Sequence, residues 1–394
     1  LPLKGIKVLD LSETRGQYAG KFLADLGADV IEIEPPQGSP ARKVGPFKDD
    51  RPDPEASLYF INFNTNKRGI TLNLDSDRGR EIFEQLAAKA DVVIEDWPPG
   101  SMNKLGLGYE RLGVLNPRLI MVSVTGFGQS GPYSGYHASD IVSYAMGGLM
   151  FISGATAEPP VVPPCEQAYH AASLLSVFAI NTALFLRLTT GRGQYIDIAN
   201  HDMISTFAEG VMRYGITTDI GGRTGSQFSS APGRIYPCKD GYVHFMVVYP
   251  NHWQSLLDLL GNPEVLSDKA WFEGTFRVKN VDLIDPIVTE FALARTKDEI
   301  TALCQERGIP CTPVNNTADV ARDRHMLERG FSVELEHQDI GKYDYLAPPY
   351  SMSATPGKVR RPSPTLGQHT LEILRDELGI SAGDLEELKS LGVV

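Results

Sequence analysis

The sequence predicts an α/β protein, with a large domain on a parallel sheet and a smaller α+β domain. Three observations lead there. Strand-like and helix-like apolar runs alternate up to about residue 200, the βαβα order of a parallel sheet. A long apolar run, Ala168 to Leu188, stops at the glycine turn Thr190-Gly191-Arg192-Gly193-Gln194 and gives way to a strand-like YIDIA. Past roughly Asp219 the alternation ends and shorter mixed elements follow.

The elements follow in order. Ile6 to Leu11 reads as a strand, Tyr18 to Leu26 as an amphipathic helix and Ala28 to Glu34 as a second strand, with Gly27 making the turn. Ile70 to Leu74 is a strand, and the helix after it carries Ile82, Phe83, Leu86 and Ala87 on one face. Asp91 to Glu95 and Leu119 to Val124 are further strands, followed by DWPPG and TGFGQSGPY. The run from Ala168 is apolar on nearly every face, so it is expected to be a buried helix. Ser173, Ser176, Asn181 and Thr182 interrupt it too often for a membrane span. A Pro-rich loop, GATAEPPVVPPCEQ, delivers Glu166, Gln167, Tyr169 and His170 to its N-terminus, where anions are favoured. In the smaller domain Tyr242 to Val248 is a strand, Trp253 to Leu260 a helix, and Thr296 with Glu299 forms a capping box for a helix ending near Gly308. GGRTGSQFSSAPGR reads as a loop, and the tail returns to helix at Leu371 to Leu378 and Asp384 to Leu391. The expected division is 1–219 with 335–394 for the large domain and 225–330 for the small one, with linkers at 220–224 and 331–334.

Composition excludes several classes. Apolar residues at 42% and charged residues at 22% are those of a soluble globular chain, and 394 residues can bury a large core. A net charge of -12 argues against nucleic acid as the main partner, since phosphate binding needs a basic face. Cys165, Cys238, Cys304 and Cys311 lack metal-ligand spacing, so no metal is expected, and they fit a reducing cytoplasm. The first residues lead straight into a strand, so no signal peptide is expected. The first βα turn, SETRGQ, lacks G-x-G-x-x-G, so Glu34 after the second strand does not make a nicotinamide site.

Cations are the next signal. Arg15, Arg42, Lys43, Lys67, Arg68 and Lys104 fall near predicted strand ends, where open α/β sheets bind ligands. They could gather an anionic ligand, or be ordinary solvated charges. Trp97 is either a stacking platform for a flat ring or a core aromatic, and His137 and His170 are either catalytic or structural. There is no Ser-His-Asp order, P-loop or metal cluster.

Across nearly its whole length the chain resembles the family III CoA-transferases, the group of formyl-CoA transferase, carnitine CoA-transferase and 2-methylacyl-CoA racemase. The carriers are LKGIKVLDLS, FLADLGADVIEIE, NTNKRGITLNL, TGFGQSGPY, TGRGQYIDIA and APPYSMSATPGKVRRPSPTLGQHTLEIL, in that order. The resemblance implies a doubly wound, Rossmann-like large domain, a smaller inserted domain, and two chains threaded as interlocked rings. It implies a CoA site at Arg15, Arg42, Lys67, Arg68, Asp96, Trp97 and Lys104. It also implies an aspartate nucleophile at a position that register from both sides assigns to Tyr169. An aspartate can serve because it is both nucleophile and leaving group, passing from mixed anhydride to CoA thioester. A phenol cannot complete that cycle. Glu166 is the nearest displaced carboxylate. Where the racemases carry a His immediately before the residue matching Asp140, this chain has Ser139, with His137 close by. Some members pair two homologous subunits of which one carries the aspartate, the arrangement of succinyl-CoA:(R)-benzylsuccinate CoA-transferase in anaerobic aromatic degradation. AYHAAS resembles the subunit that lacks it. The expectation is therefore a chain that moves CoA between an acyl-CoA and a carboxylic acid together with an Asp-bearing partner. A homodimeric racemase, isomerase or lyase using Glu166, His137 or Asp140, and a non-catalytic CoA-binding protein, remain as alternatives.

Overall fold

The computed structural model describes the chain apart from residues 156, 209–213, 215, 217–221 and 224–229. Six strands form one parallel sheet: β1 (Lys7–Asp10), β2 (Asp29–Glu34), β3 (Arg68–Thr71), β4 (Val92–Glu95), β5 (Ile120–Thr125) and β6 (Tyr195–Ala199). Their order is β3-β2-β1-β4-β5-β6, the doubly wound arrangement. Register pairs Leu9 with both Ile31 and Val93, and Val93 with Met121, so alternate residues build two faces. One face packs against α3 (Asp77–Ala87) and the C-terminal helices Thr370–Leu378 and Ala382–Ser390, through Ile82, Phe83, Leu86, Ile373, Leu374 and Leu388. The other, carrying Val8, Val30, Val92 and Val122, is covered by α1 (Gln17–Asp25) and the long α7 (Gln167–Thr190). Each such fully buried aliphatic side chain contributes on the order of 1.5–3 kcal/mol. Connecting the sheet are α2 (Leu58–Phe63), α4 (Ser101–Lys104), α5 (Tyr109–Leu115), α6 (Asp140–Met146) and α8 (Asn200–Phe207).

The chain divides into two compact units, Leu1–Leu149 with Pro163–Met212 and His325–Val394, and Met150–Val162 with Arg213–Arg324. The larger therefore also includes the hairpin β10 (Ser332–His337) and β11 (Gly341–Leu346), and the smaller takes in 150–162. The expected linker 220–224 falls largely outside the described residues, as does much of GGRTGSQFSSAPGR. The smaller unit carries an antiparallel sheet of β7 (Ile235–Cys238), β8 (Gly241–Phe245) and β9 (Cys311–Pro313). Its core holds Tyr236, Phe245, Trp253 and Ile284. The Thr296–Glu299 capping box is present.

One expectation is overturned. The long helix is buried along one stripe only, through Ala172, Ser176, Ile180, Ala183 and Leu184. Phe178, Phe185 and Leu188 are 69%, 73% and 79% exposed. A single sheet face can cover only one side of a helix, and among the described residues the side bearing Phe178, Phe185 and Leu188 stays exposed. This is also the one helix among the described residues long and apolar enough to cross a membrane; its buried stripe packs on the sheet.

Candidate active site at the start of the long helix

The loop into α7 turns through two consecutive non-glycine residues in the left-handed region, Cys165 (φ 68°) and Glu166 (φ 49°). Such conformations cost of order 1–3 kcal/mol each and persist where the surroundings hold them. Here Asp140, the first residue of α6, accepts the Ala168 backbone N–H at 2.7 Å and so caps the long helix from a distance. Burial raises the Asp140 pKa, with the N–H groups of Ala168 and Tyr169 opposing.

Tyr169 is 7% exposed and lies on the α7 face turned toward Arg15, whose guanidinium carbon is 5.3 Å from the ring centroid. Burial raises the phenol's pKa, Arg15 opposes, and Glu166 and Asp140 add to the rise, so Tyr169 is neutral near pH 7. Arg15 is held by backbone: Nη2 donates to Ala138 O at 3.0 Å and Nη1 to Asp96 O at 3.3 Å, while Nε is buried without a hydrogen-bond partner. Asp96 is buried beneath this loop and accepts the backbone N–H groups of Glu13, Thr14, Arg15 and Gly16 at 2.8, 2.8, 2.5 and 3.1 Å. Burial raises the Asp96 pKa, opposed by the N–H groups of Glu13, Thr14 and Gly16 and by the charge of Arg15. Ser173, one turn along α7, donates to Arg15 O at 2.7 Å. The turn between β1 and α1 is thus tied to β4 and α7 at the topological switch point of the sheet.

Glu166 brings a carboxylate to this place, and its Oε2 is buried without a hydrogen-bond partner. The phenol of Tyr59, on α2, faces it: burial first, then Glu166, pushes the Tyr59 pKa far up. Sequence reasoning missed Tyr59, since nothing in LYFINF distinguishes a site tyrosine from a core one. His170 packs against Tyr18 and Phe63, with centroids 5.4 and 5.2 Å away, and burial lowers its pKa. His137 is exposed on the loop before Ala138.

Several of the expected CoA-site cations have carboxylate partners within the chain. Arg42 is 1% exposed and pairs through Nε and Nη2 with Glu34 at 2.6 and 2.8 Å, and through Nη1 with Glu55 at 2.8 Å. Lys67 is fully buried, 2.6 Å from Asp10 and 2.9 Å from Glu32. Burial alone would lower its pKa, but the two carboxylates more than reverse that. Arg68 pairs with Asp29 and Glu372. Arg42 and Lys67 thus neutralise the buried strand acids Glu34, Asp10 and Glu32, while Arg68 pairs with the more exposed Asp29 and Glu372. Glu34 is the partner of Arg42 and not a ribose acid. Asp96 serves the loop. Trp97 and Lys104 remain in place, lining a cavity of about 510 Å³ with Leu72, Leu105 and Asp75 at the carboxyl end of the sheet. The Trp97 Nε1 is buried there without a partner, and among the described residues Lys104 is the one cation of the lining. On the open side of α7 a groove of about 830 Å³ is walled by Tyr144, His170, Leu174, Met203 and Phe207.

This doubly wound sheet sets a capped helix start opposite a loop pinned at the switch point, the place where such sheets bind ligands. The model of CoA-transferase family III matches residues 3–370, and the chain belongs to that family. It is 32% identical to formyl-CoA:oxalate CoA-transferase of Streptomyces coelicolor, covering all of this chain and 99% of that protein. It is also 32% identical to the beta subunit of succinyl-CoA–L-malate CoA-transferase of Chloroflexus aurantiacus, over all of this chain and 98% of the other. Identity is 30% to subunit BbsE of succinyl-CoA:(R)-benzylsuccinate CoA-transferase of Thauera aromatica, over 98% and 97%. Among solved structures, a CAIB/BAIF family protein from Brucella suis superposes with a TM-score of 0.87 at 33% identity, over 95% of this chain and 99% of that one.

Proposed function

We propose that this chain is the subunit without a nucleophile in a family III CoA-transferase. It acts with a homologous Asp-bearing chain to move CoA from a donor such as succinyl-CoA to a carboxylic acid, in the cytoplasm. The observation that carries the reading is Tyr169, neutral and packed beneath Arg15 where the family resemblance implies an aspartate. In the transfer a carboxylate attacks the thioester carbonyl, an acyl–oxygen bond forms, and CoA leaves as thiolate. The thiolate then attacks the enzyme's own carbonyl of this anhydride, the donor acid leaves as its carboxylate and an enzyme–CoA thioester remains. From it the acceptor carboxylate takes the CoA by the same two steps in reverse. A tyrosine has no such carbonyl. That relatives include named subunits of two-subunit transferases supports the partner, and the bare apolar side of α7 supports a second chain, interlocked or otherwise, covering it. The acyl-CoA is held against the Trp97–Lys104 cavity, with Arg15 near the reacting end.

One observation favours a second reading: the unpartnered Glu166 oxygen is a carboxylate within the same loop, so Glu166 is a displaced nucleophile candidate. The experiment incubates the purified chain with succinyl-CoA, quenches with hydroxylamine and maps modified residues by mass spectrometry. No adduct and no transfer until an Asp-bearing homologue is added supports the subunit reading. A hydroxamate on Glu166 with turnover by the chain alone replaces it.

A further inference from the structure

A second cavity, of about 600 Å³, lies outside the site proposed for the transfer, against the last residue of β4, the body of β5 at Met121 and Ser123, and the first residue of β6. Its volume is that of a small-molecule site. Two carboxyl groups line it, Glu95 and Glu110, with the rings of Tyr109 and Tyr195 and the thioethers of Met102 and Met121. Among the described residues, no Lys, Arg or His lines it. The two tyrosine rings are 5.7 Å apart and tilted by 30°, forming one aromatic wall. Glu95 is 3% exposed and is fixed rather than mobile: its Oε2 accepts the Trp97 backbone N–H at 2.8 Å, and Tyr195 OH donates to Ser123 Oγ at 2.8 Å beside it.

We propose that this cavity binds a small organic ammonium ion, its charge seated against the Glu95 carboxylate and its alkyl groups against Tyr109, Tyr195 and the two methionines. A buried carboxylate without a cation is unfavourable, and a ligand cation supplies the missing charge. Tyrosine faces attract such cations, and desolvation strengthens the contact. A bare metal ion would leave most of the volume and the aromatic wall unused.

The groups facing Glu95 are Asp96 on its own strand end, Ser123 on β5, and Tyr195 and Asp197 on β6; Tyr109 and Glu110 from α5 share the cavity. Burial, with Asp96 and Asp197 adding and Ser123 and the Trp97 N–H opposing, holds the Glu95 pKa at about 7. A cation favours the ionised form, so binding releases a proton below pH 7. Affinity should rise about tenfold per pH unit up to 7 and then level off. The test titrates the full chain calorimetrically with choline and with its uncharged isostere 3,3-dimethylbutanol, at pH 6 and pH 8. The expected result is choline binding at least tenfold tighter than the isostere, proton release at pH 6, and loss of the preference in Glu95→Gln. Tyr109→Ala, which alters a partly exposed wall and keeps the carboxylate, should weaken choline several-fold without removing the pH slope. Equal binding of the two probes, no choline binding at tens of millimolar, or an unchanged affinity in folded Glu95→Gln overturns the proposal.

Discussion

Lys67 shows how a side chain legible as a cation can have a meaning the sequence hides. Its partners Asp10 and Glu32 lie far away in sequence, and only the parallel pairing of β1, β2 and β3 places them around one ammonium. Gly20 on α1 allows the approach: a Cβ there would come within 1.9 Å of Asp10 Oδ2. Replacing Lys67 with Met removes the charge and strands two buried acids, so stability should fall by about 3–5 kcal/mol, read from urea unfolding. Were Lys67 a ligand-facing cation instead, the substitution would leave unfolding nearly unchanged and only weaken CoA binding. Glu95 makes the opposite prediction. Its folded pKa is about 7, above the ordinary carboxyl value, so the folded state holds a proton that the unfolded state has released. The stability this lends is full below the unfolded pKa and is lost as pH rises from there to about 7. Glu95→Gln, which keeps an acceptor for the Trp97 N–H, should flatten that loss and make the protein more stable than the parent at pH 8. Melting curves at pH 5 and pH 8 check it; an equal offset at both pH values would mean that Glu95 does not titrate in this range.

At the scale of elements, the six strands, α1, α3, α7 and both C-terminal helices were legible, because period-two and period-3.6 apolar patterns survive without tertiary information. The short α2 and the β10–β11 hairpin were not, since neither shows a pattern long enough to stand out. For α7 the element was right and its burial wrong: an all-apolar helix must be covered, but the sequence does not say by which chain. Phe178→Asp with Phe185→Asp tests this directly. Both side chains are mostly exposed here, so the fold should survive by circular dichroism while light scattering shows any dimer shifting to monomer. If the mass is unchanged, the cover lies elsewhere. The cap on α7 makes a second test. Asp140→Ala removes an acceptor for an N-terminal N–H and should cost about 1 kcal/mol, the usual worth of such a cap. Asp140→Asn, which keeps an acceptor oxygen, should restore most of it, read from urea unfolding.

For the whole molecule, the balance of charge matters more than any one contact. The chain carries a net -12, and three of the six cations near the strand ends, Arg42, Lys67 and Arg68, are engaged in internal ion pairs. At the Trp97 cavity Lys104 is the one cation of the lining among the described residues, facing a field that repels a polyanion. The reach of that field depends on salt: the Debye length is about 30 Å at 10 mM, enough to span much of the protein, and about 8 Å at 150 mM, which leaves only the neighbourhood of Lys104. Adding salt therefore screens the repulsion before it screens the local attraction. CoA affinity of the isolated chain should be weak and should rise, or at least not fall, between 10 and 150 mM salt, with Lys104→Glu weakening it at both. Calorimetry over that range decides the matter. A steep loss of affinity with salt would require a cluster of phosphate-facing cations, which Arg42, Lys67 and Arg68, held by their carboxylates, cannot supply.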